Sequence, residues 1–411
     1  MAATDRYTII SADCHAGGSH EQYREYLDPA WRDEFDAWRG AYKNPWKDLR
    51  DTDLRVRNWD DDRRDADQLA DGVVAEIVYP NTVPPFYPGF VLFAAPPRPE
   101  QYERRRAGIQ AHNRWMVDYC ARQPTRRAGI GQVFLNDVDD AIADATWIKE
   151  QGLRGGVLIP SIPPDAVWVE PLYSRVYDPL WSALQDLDLV INVHSGTGSP
   201  NYGSHAAGPM LLVNEMAFYS QRAFVHLVLG GVFERFPRLK FVMTETSASG
   251  LLPVIAGMDM TIRQVQQGSI GEFKYREEDS IPHTASEYFA RQCWVGASFP
   301  GIPDAESVGR ISVDRFMWGS DYPHDEGTQP YTREHLRQTF HSFPEADLHK
   351  ILGENAAALY GFDLDALAPL AAQYGPTVAE IAEPLVTLPE KPNGALLRNA
   401  DHLDRAARKA S

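Results

Sequence analysis

Eight apolar runs, at 7–15, 73–79, 128–135, 155–160, 189–194, 239–245, 291–297 and 315–318, lack the polar alternation of a half-exposed sheet. Segments with helical character lie between them, the clearest at 60–71, 100–122, 138–151, 178–186, 214–236 and 334–360. Strands apolar on both faces and separated by helices belong to a parallel sheet covered on both sides. Eight such units predict an α/β fold, a closed (β/α)8 TIM barrel. A doubly wound open sheet is the competing architecture. The absence of Gly-x-Gly-x-x-Gly after the first strand weighs against it.

A barrel of this kind takes about 250 residues, and the chain has 411. The surplus sits in two places. Residues 16–59, after the first strand, carry Trp31, Trp38, Trp46 and Trp59 among mixed charges; a long aromatic segment there reads as a lid or active-site wall rather than a linker. Beyond 365 the pattern weakens. The expected organisation is a barrel over 1–365 and a tail over 366–411, extended at first and ending in a charged helix.

Composition narrows the partners. A net charge of −17, from 57 acidic and 40 basic residues, argues against a nucleic-acid surface. Cys14, Cys120 and Cys293 are too few and too scattered for a disulfide framework, which points to a reducing, cytoplasmic setting. The amino terminus has no apolar run, so no signal peptide is expected. No stretch reaches about 18 consecutive apolar residues, so no membrane span is expected. The expected partner is a small-molecule substrate.

Four of the apolar runs end in chemistry-bearing residues: Asp13 and His15, His194, Glu245, and Asp321. Asp13 and His15 are two positions apart and leave the same face of a strand, whereas Cys14 points the other way as a packing residue. In a parallel barrel the reactive groups come from the carboxyl ends of several strands. Two imidazoles with two or three carboxylates form a mixed nitrogen and oxygen set. Such a set suits zinc, manganese or iron(II) over magnesium or calcium. Taken singly, each residue has a plainer reading: Asp13 with His15 as a hydrogen-bonded strand end, His194 as a satisfied core histidine, Glu245 as half of an ion pair. Their shared position at strand ends favours convergence on one ion.

The pieces Ala12-Asp13-Cys14-His15, Asn192-Val193-His194-Ser195-Gly196, Gly230-Gly231-Val232-Phe233-Glu234-Arg235-Phe236-Pro237 and Trp318-Gly319-Ser320-Asp321-Tyr322-Pro323-His324 resemble, in order and spacing, the amidohydrolase superfamily. Within it they resemble the amidohydrolase-related branch that includes aminocarboxymuconate semialdehyde decarboxylase. The resemblance runs from about Tyr7 to Phe362. It implies a barrel with a metal at its mouth, Asp13, His15, His194 and Asp321 as ligands, and a homodimer. Two positions depart from the family pattern. The first-strand motif is commonly His-x-His, and here Asp13 leads it; the sixth-strand position is commonly His, and here it is Glu245.

On this reading the chain is a metal-dependent, non-oxidative decarboxylase of a small aromatic or enol-type carboxylic acid. One divalent ion, zinc first with manganese or iron as alternatives, and no organic cofactor, would serve it. Asp321 and Glu245 are the candidate proton carriers, and His324, three residues after Asp321, is a further one. Arg55 and Arg57 are candidates for gripping the substrate carboxylate, and His205 in the glycine-rich loop after the fifth strand is another pocket candidate. The first rival is hydrolysis of an amide, lactone or carbon–carbon bond by activated water. The second is a barrel that binds a ligand without turning it over.

Overall fold

Each of the eight apolar runs contains a strand in the computed structural model, which describes residues 5–43, 55–89, 91–276 and 280–401. The strands are β1 (Ile9–Ala16), β2 (Val73–Pro80), β3 (Arg127–Gln132), β4 (Gly156–Leu158), β5 (Val190–His194), β6 (Lys240–Thr244), β7 (Cys293–Ser298) and β8 (Phe316–Gly319). All pair in parallel, in chain order from β1 to β8. A narrower seam joins β8 back to β1. There the Asp321 N–H donates to the Asp13 carbonyl at 2.9 Å and the His15 N–H to the Tyr322 carbonyl at 2.6 Å. Glycine is needed at this seam, because a Cβ on Gly319 would lie 2.7 Å from the Cβ of Asp13. The architecture is the (β/α)8 barrel that the strand pattern predicts.

The segment after β1 forms α1 (His20–Tyr26) and α2 (Arg32–Ala41), followed by α3 (Asp61–Ala70) before β2. The helices after β2 to β6 are α4 (Tyr102–Ala121), α5 (Val138–Glu150), α6 (Asp178–Asp186), α7 (Gly208–Leu229) and α8 (Ala248–Gln266). Phe35, Trp38 and Phe86 pack the aromatic part of the insertion; Trp46 lies outside the described residues. The helix expected at 214–236 begins earlier, at Gly208, with Pro209 in its first turn, where a missing N–H costs nothing. It stops at Leu229, because Gly231 takes a left-handed φ of +66° and only a single turn, Val232–Arg235, follows. Residues 364–401 carry the helices Leu364–Tyr374, Val378–Ala382 and Gly394–Leu397. They are tied to the amino terminus by Tyr7 N–H to Pro376 O at 3.0 Å and Val378 N–H to Asp5 O at 2.8 Å. Residues 402–411 of the expected tail are outside the described set.

Two packed layers flank the strands. Ile10, Ala12, Ile77, Ile130, Leu158, Val190, Val242 and Met317, drawn from seven strands, share one buried cluster and fill the barrel. A larger cluster joins the outward strand residues to the helices. β1 contains one extra residue between Ser11 and Cys14 relative to β2. A bulge of this kind re-aims the side chains beyond it. Below the bulge Ile10 and Ala12 pack inside the barrel; above it Asp13 and His15 do.

One buried ion pair fixes that bulged end. Arg64, fully buried on α3, donates through Nε to both carboxylate oxygens of Glu76, at 3.0 and 3.1 Å, and through Nη1 to the His15 carbonyl at 2.8 Å. Burial alone would raise the Glu76 carboxyl; the Arg64 guanidinium outweighs it and holds the group down to about 2. This contribution to stability is full above the unfolded value near 4.5 and is lost as pH falls toward 2. Urea unfolding between pH 5 and pH 2 should therefore show a steep loss of stability, and Glu76→Gln should flatten it. At neutral pH Arg64→Met should cost about 3 kcal/mol, since it leaves the buried Glu76 carboxylate with only Arg127 at 3.4 Å and the Gln68 amide at 2.7 Å. An Arg64→Met protein as stable as the parent would refute the role assigned to the pair.

Candidate metal centre

The carboxyl ends of β1, β5, β6 and β8 converge. Asp13, His15 and Asp321 are fully buried and His194 is nearly so. His15 Nε2 lies 3.3 Å from Asp13 Oδ1 and 3.2 Å from Asp321 Oδ1, and His194 Nε2 lies 3.4 Å from Asp13 Oδ1. Two overlapping triads result, Asp13–His15–His194 and His15–Asp321–His324, each with its ligand atoms within 4.8 Å of one another. The four residues that sequence reasoning and resemblance single out as ligands are thus brought to one place.

The donor chemistry fits a cation. Both histidines turn Nδ1 to a backbone carbonyl, His15 to Pro80 at 3.3 Å and His194 to Ser195 at 3.0 Å. That arrangement leaves Nε2 of each facing the carboxylates, as in metal-ligating histidines oriented from behind. His15 Nε2 and Asp321 Oδ2 are buried and make no hydrogen bond. Ligand atoms about 2.1 Å from one tetrahedral ion stand about 3.4 Å apart; the His15–Asp13, His15–Asp321 and His194–Asp13 pairs stand at 3.2–3.4 Å, and Asp321 joins the set through His15 rather than through Asp13 or His194. Ser298 Oγ donates to the other oxygen of Asp13.

Charge in this cluster is finely opposed. Burial would raise the Asp13 carboxyl, but His194 and His15 hold it well below the usual carboxylate range. Burial and the neighbouring His324 disfavour a charged His15; Asp13 and Asp321 overcome them and bring it up to about 9. Burial opposes charge on His324 too, and Asp321 Oδ1, 2.9 Å from its Nδ1, pushes it up to about 9. Glu245 behaves differently. Its side chain is 23% exposed, opening into a cavity rather than bulk solvent, and lies 3.4 Å from His194. Burial, then the charges of Asp321 and Asp13, raise its carboxyl to about 8.

Backbone strain marks the same two strand ends. Glu245 and Asp321 both have left-handed φ, +58° and +62°. Each is pinned by a bond to the neighbouring strand, Glu245 N–H to Gly296 O at 3.0 Å and Asp321 N–H to Asp13 O at 2.9 Å. Strain of this kind persists where the surroundings over-determine a functional geometry.

A cavity of about 600 Å³ opens above the cluster, and His194, Glu245 and His324 form part of its lining. Arg55 also lines it. Arg57 does not line it: its Nε is drawn to the Asp67 carboxylate at 3.3 Å. His205 is exposed, accepts the Ala207 N–H at 3.3 Å and is likewise outside the lining. Sequence reasoning passes over three groups that the structure places here. Asn81 bonds His324 Nε2 at 3.0 Å; its place after the second strand is the signal that could have found it. His20, on α1, faces the cavity among Phe35, Trp38 and Tyr42, and Ser298 ends β7.

Comparisons with known proteins agree with this picture. No curated protein sequence matches the chain. Among solved structures, the chain is similar to 5-carboxyvanillate decarboxylase from Sphingomonas paucimobilis, with a TM-score of 0.61 at 18% identity over 87% of this chain and 100% of that one. It is similar to dihydroxybenzoic acid decarboxylase from a Polaromonas species, crystallised with manganese and 2-nitroresorcinol, with a TM-score of 0.62 at 18% identity over 86% and 97%. An amidohydrolase from Mycobacterium avium subsp. paratuberculosis gives a TM-score of 0.64 at 19% identity over 86% and 99%. These likenesses concern the fold. The sequence profile described as Amidohydrolase matches residues 44–250 and 305–362, well over half of the chain. On that match the chain belongs to the amidohydrolase family.

Proposed function

We propose that the chain is a metal-dependent decarboxylase that releases carbon dioxide from a small aromatic or enol-type carboxylic acid. The observation that carries this reading is the paired triad. His15 and Asp321 are buried with unbonded polar atoms beneath a cavity that also holds proton carriers and a cationic side chain. The decarboxylases of similar fold, the Polaromonas one crystallised with manganese, support it.

Asp13, His15, His194 and Asp321 would hold the divalent ion. When bound, that ion supplies Lewis acidity and a template for the substrate carboxylate and a neighbouring oxygen. Arg55 grips the anionic substrate from the cavity wall. As the bond between ring carbon and carboxylate breaks, its electron pair stays on the ring carbon and carbon dioxide departs. The carbon then takes a proton that His324, held protonated beside Asp321 Oδ1 at 2.9 Å, passes through the Asp321 carboxylate. His324, bonded to Asp321 on one side and Asn81 on the other, stores that proton. Glu245, whose carboxyl is raised by burial and by Asp321 and Asp13, is a second candidate donor at the same cavity. Hydrolysis stays as the alternative, because Glu245 in its ionised form is placed to take a proton from water in the cavity. A cytoplasmic homodimer completes the proposal; three free thiols support the reducing compartment. No helix among the described residues is long and apolar enough to cross a membrane.

Two experiments test this reading. Elemental analysis of purified protein should find about one zinc or manganese per chain. Ser298→Ala should weaken metal affinity roughly 10–100-fold, as loss of an orienting partner does, and Asp13→Ala should abolish binding. Full metal content in Asp13→Ala would remove the ligand assignment. Hydroxybenzoates and lactones should then be offered to the loaded enzyme, with carbon dioxide and acid followed separately. Carbon dioxide should appear from a hydroxybenzoate, and Asp321→Asn should slow it by about 10²–10⁴. Acid without carbon dioxide would instead establish the hydrolase.

A further inference from the structure

We propose that the substrate carries an apolar extension, an alkyl or aryl substituent on the side of the reacting ring away from its carboxylate. This rests on the decarboxylase reading and adds the substrate class to it. The cavity of about 600 Å³ lies well inside the range that accommodates drug-sized ligands, about 300–1,000 Å³. A single-ring acid seated over the ligand cluster leaves much of that space unfilled.

The unfilled part has a definite chemistry. Charged and polar groups reach the cavity from the strand ends, from the segment after β1 and from the loop beyond β8: Arg55, Asn58, Asn81, Glu245, His324 and Glu326. Two other walls carry no polar side chain. One is the short turn Val91–Phe93, all three of whose side chains line the cavity. The other is the first two turns of α7. There Pro209, Leu212, Val213 and Met216 line the cavity, and positions i, i+3, i+4 and i+7 form a single helical face. An apolar helical stripe is usually buried against the core, yet this one stays accessible, with Val213 65% exposed. The two walls contain nothing that could position an ionised or hydrogen-bonding substituent. They gain free energy only when apolar surface covers them.

The test uses 4-alkyl- and 5-alkyl-2-hydroxybenzoates, from unsubstituted to hexyl, on the metal-loaded enzyme. A parallel set of alkyl-2-nitrophenols, whose nitro group mimics the carboxylate and cannot leave as carbon dioxide, is titrated by calorimetry. In at least one positional series kcat/KM should rise, and the nitrophenol Kd fall, about fourfold per methylene. Leu212→Trp, which fills the space between the walls, should flatten both dependences in protein whose circular dichroism matches the parent. If turnover is absent but the nitrophenol series still tightens with chain length, the extension stands and the decarboxylase reading falls. If unsubstituted hydroxybenzoate is turned over while longer chains bring no gain or a loss, the extension is overturned and the decarboxylase reading stands. Chain-length gains that persist in Leu212→Trp would also overturn it, since they would arise outside these walls.

Discussion

Two carboxylates, Asp13 and Asp321, are forced together out of water by the bond that closes the barrel. The Asp321 N–H reaches the Asp13 carbonyl at 2.9 Å, so the seam cannot form without bringing both acids to the same rim. Burying either charge costs several kcal/mol unless it is compensated. Compensation comes from positive charge placed between them, with His15 Nε2 3.3 Å from one acid and 3.2 Å from the other. Site and fold are therefore the same problem here. A cation held here, as proposed, would neutralise the acids and cross-link β1, β5 and β8 at once.

The surroundings are built to keep that arrangement from relaxing. Arg64 holds the His15 carbonyl and stacks its guanidinium over the Tyr322 ring, with 4.8 Å to the ring centroid, so one buried cation grips both sides of the seam. Glu76 neutralises it from β2. His324 stacks on His15 with ring centroids 4.3 Å apart. Left-handed backbone at Glu245 and Asp321 is tolerated because inter-strand bonds leave neither residue another choice. Rigidity of this order is what a preorganised charge site requires.

Much of this was legible in the sequence, for a physical reason. Parallel strands write themselves as unbroken apolar runs, and a polar residue ending such a run has only the rim to go to; Asp13, His15, His194 and Asp321 are all of this type. The bulge in β1 was not legible, because it is set by register against β2, yet it decides that Asp13 and His15 face inward along with Ile10 and Ala12. Arg57 and His205 have suitable side-chain chemistry but no strand end to position them. One went to Asp67 and the other stayed in a solvent-facing turn. The face formed by Pro209, Leu212, Val213 and Met216 has a helical period, but its start lies among glycines that read as loop. Only the helix beginning at Gly208 makes the stripe visible.

The acid at position 245 ties the choice of reaction to the charge of the substrate. Burial and two neighbouring carboxylates bring Glu245 up to about 8, toward the protonated form that can donate. A divalent ion held, as proposed, among Asp13, His15, His194 and Asp321 would pull the same group downward, toward a base. A substrate that is itself a carboxylate cancels part of that positive charge as it enters, and Glu245 regains its proton where a developing carbanion needs one. A neutral amide or lactone brings no such charge, and the ionised form that would activate water persists. Histidine at this position would also take up a proton beside an entering anion, but as a cationic donor rather than a neutral one. Glutamate therefore makes donation from a neutral acid conditional on an anionic substrate, which favours decarboxylation by a group that carries no charge until the proton has left.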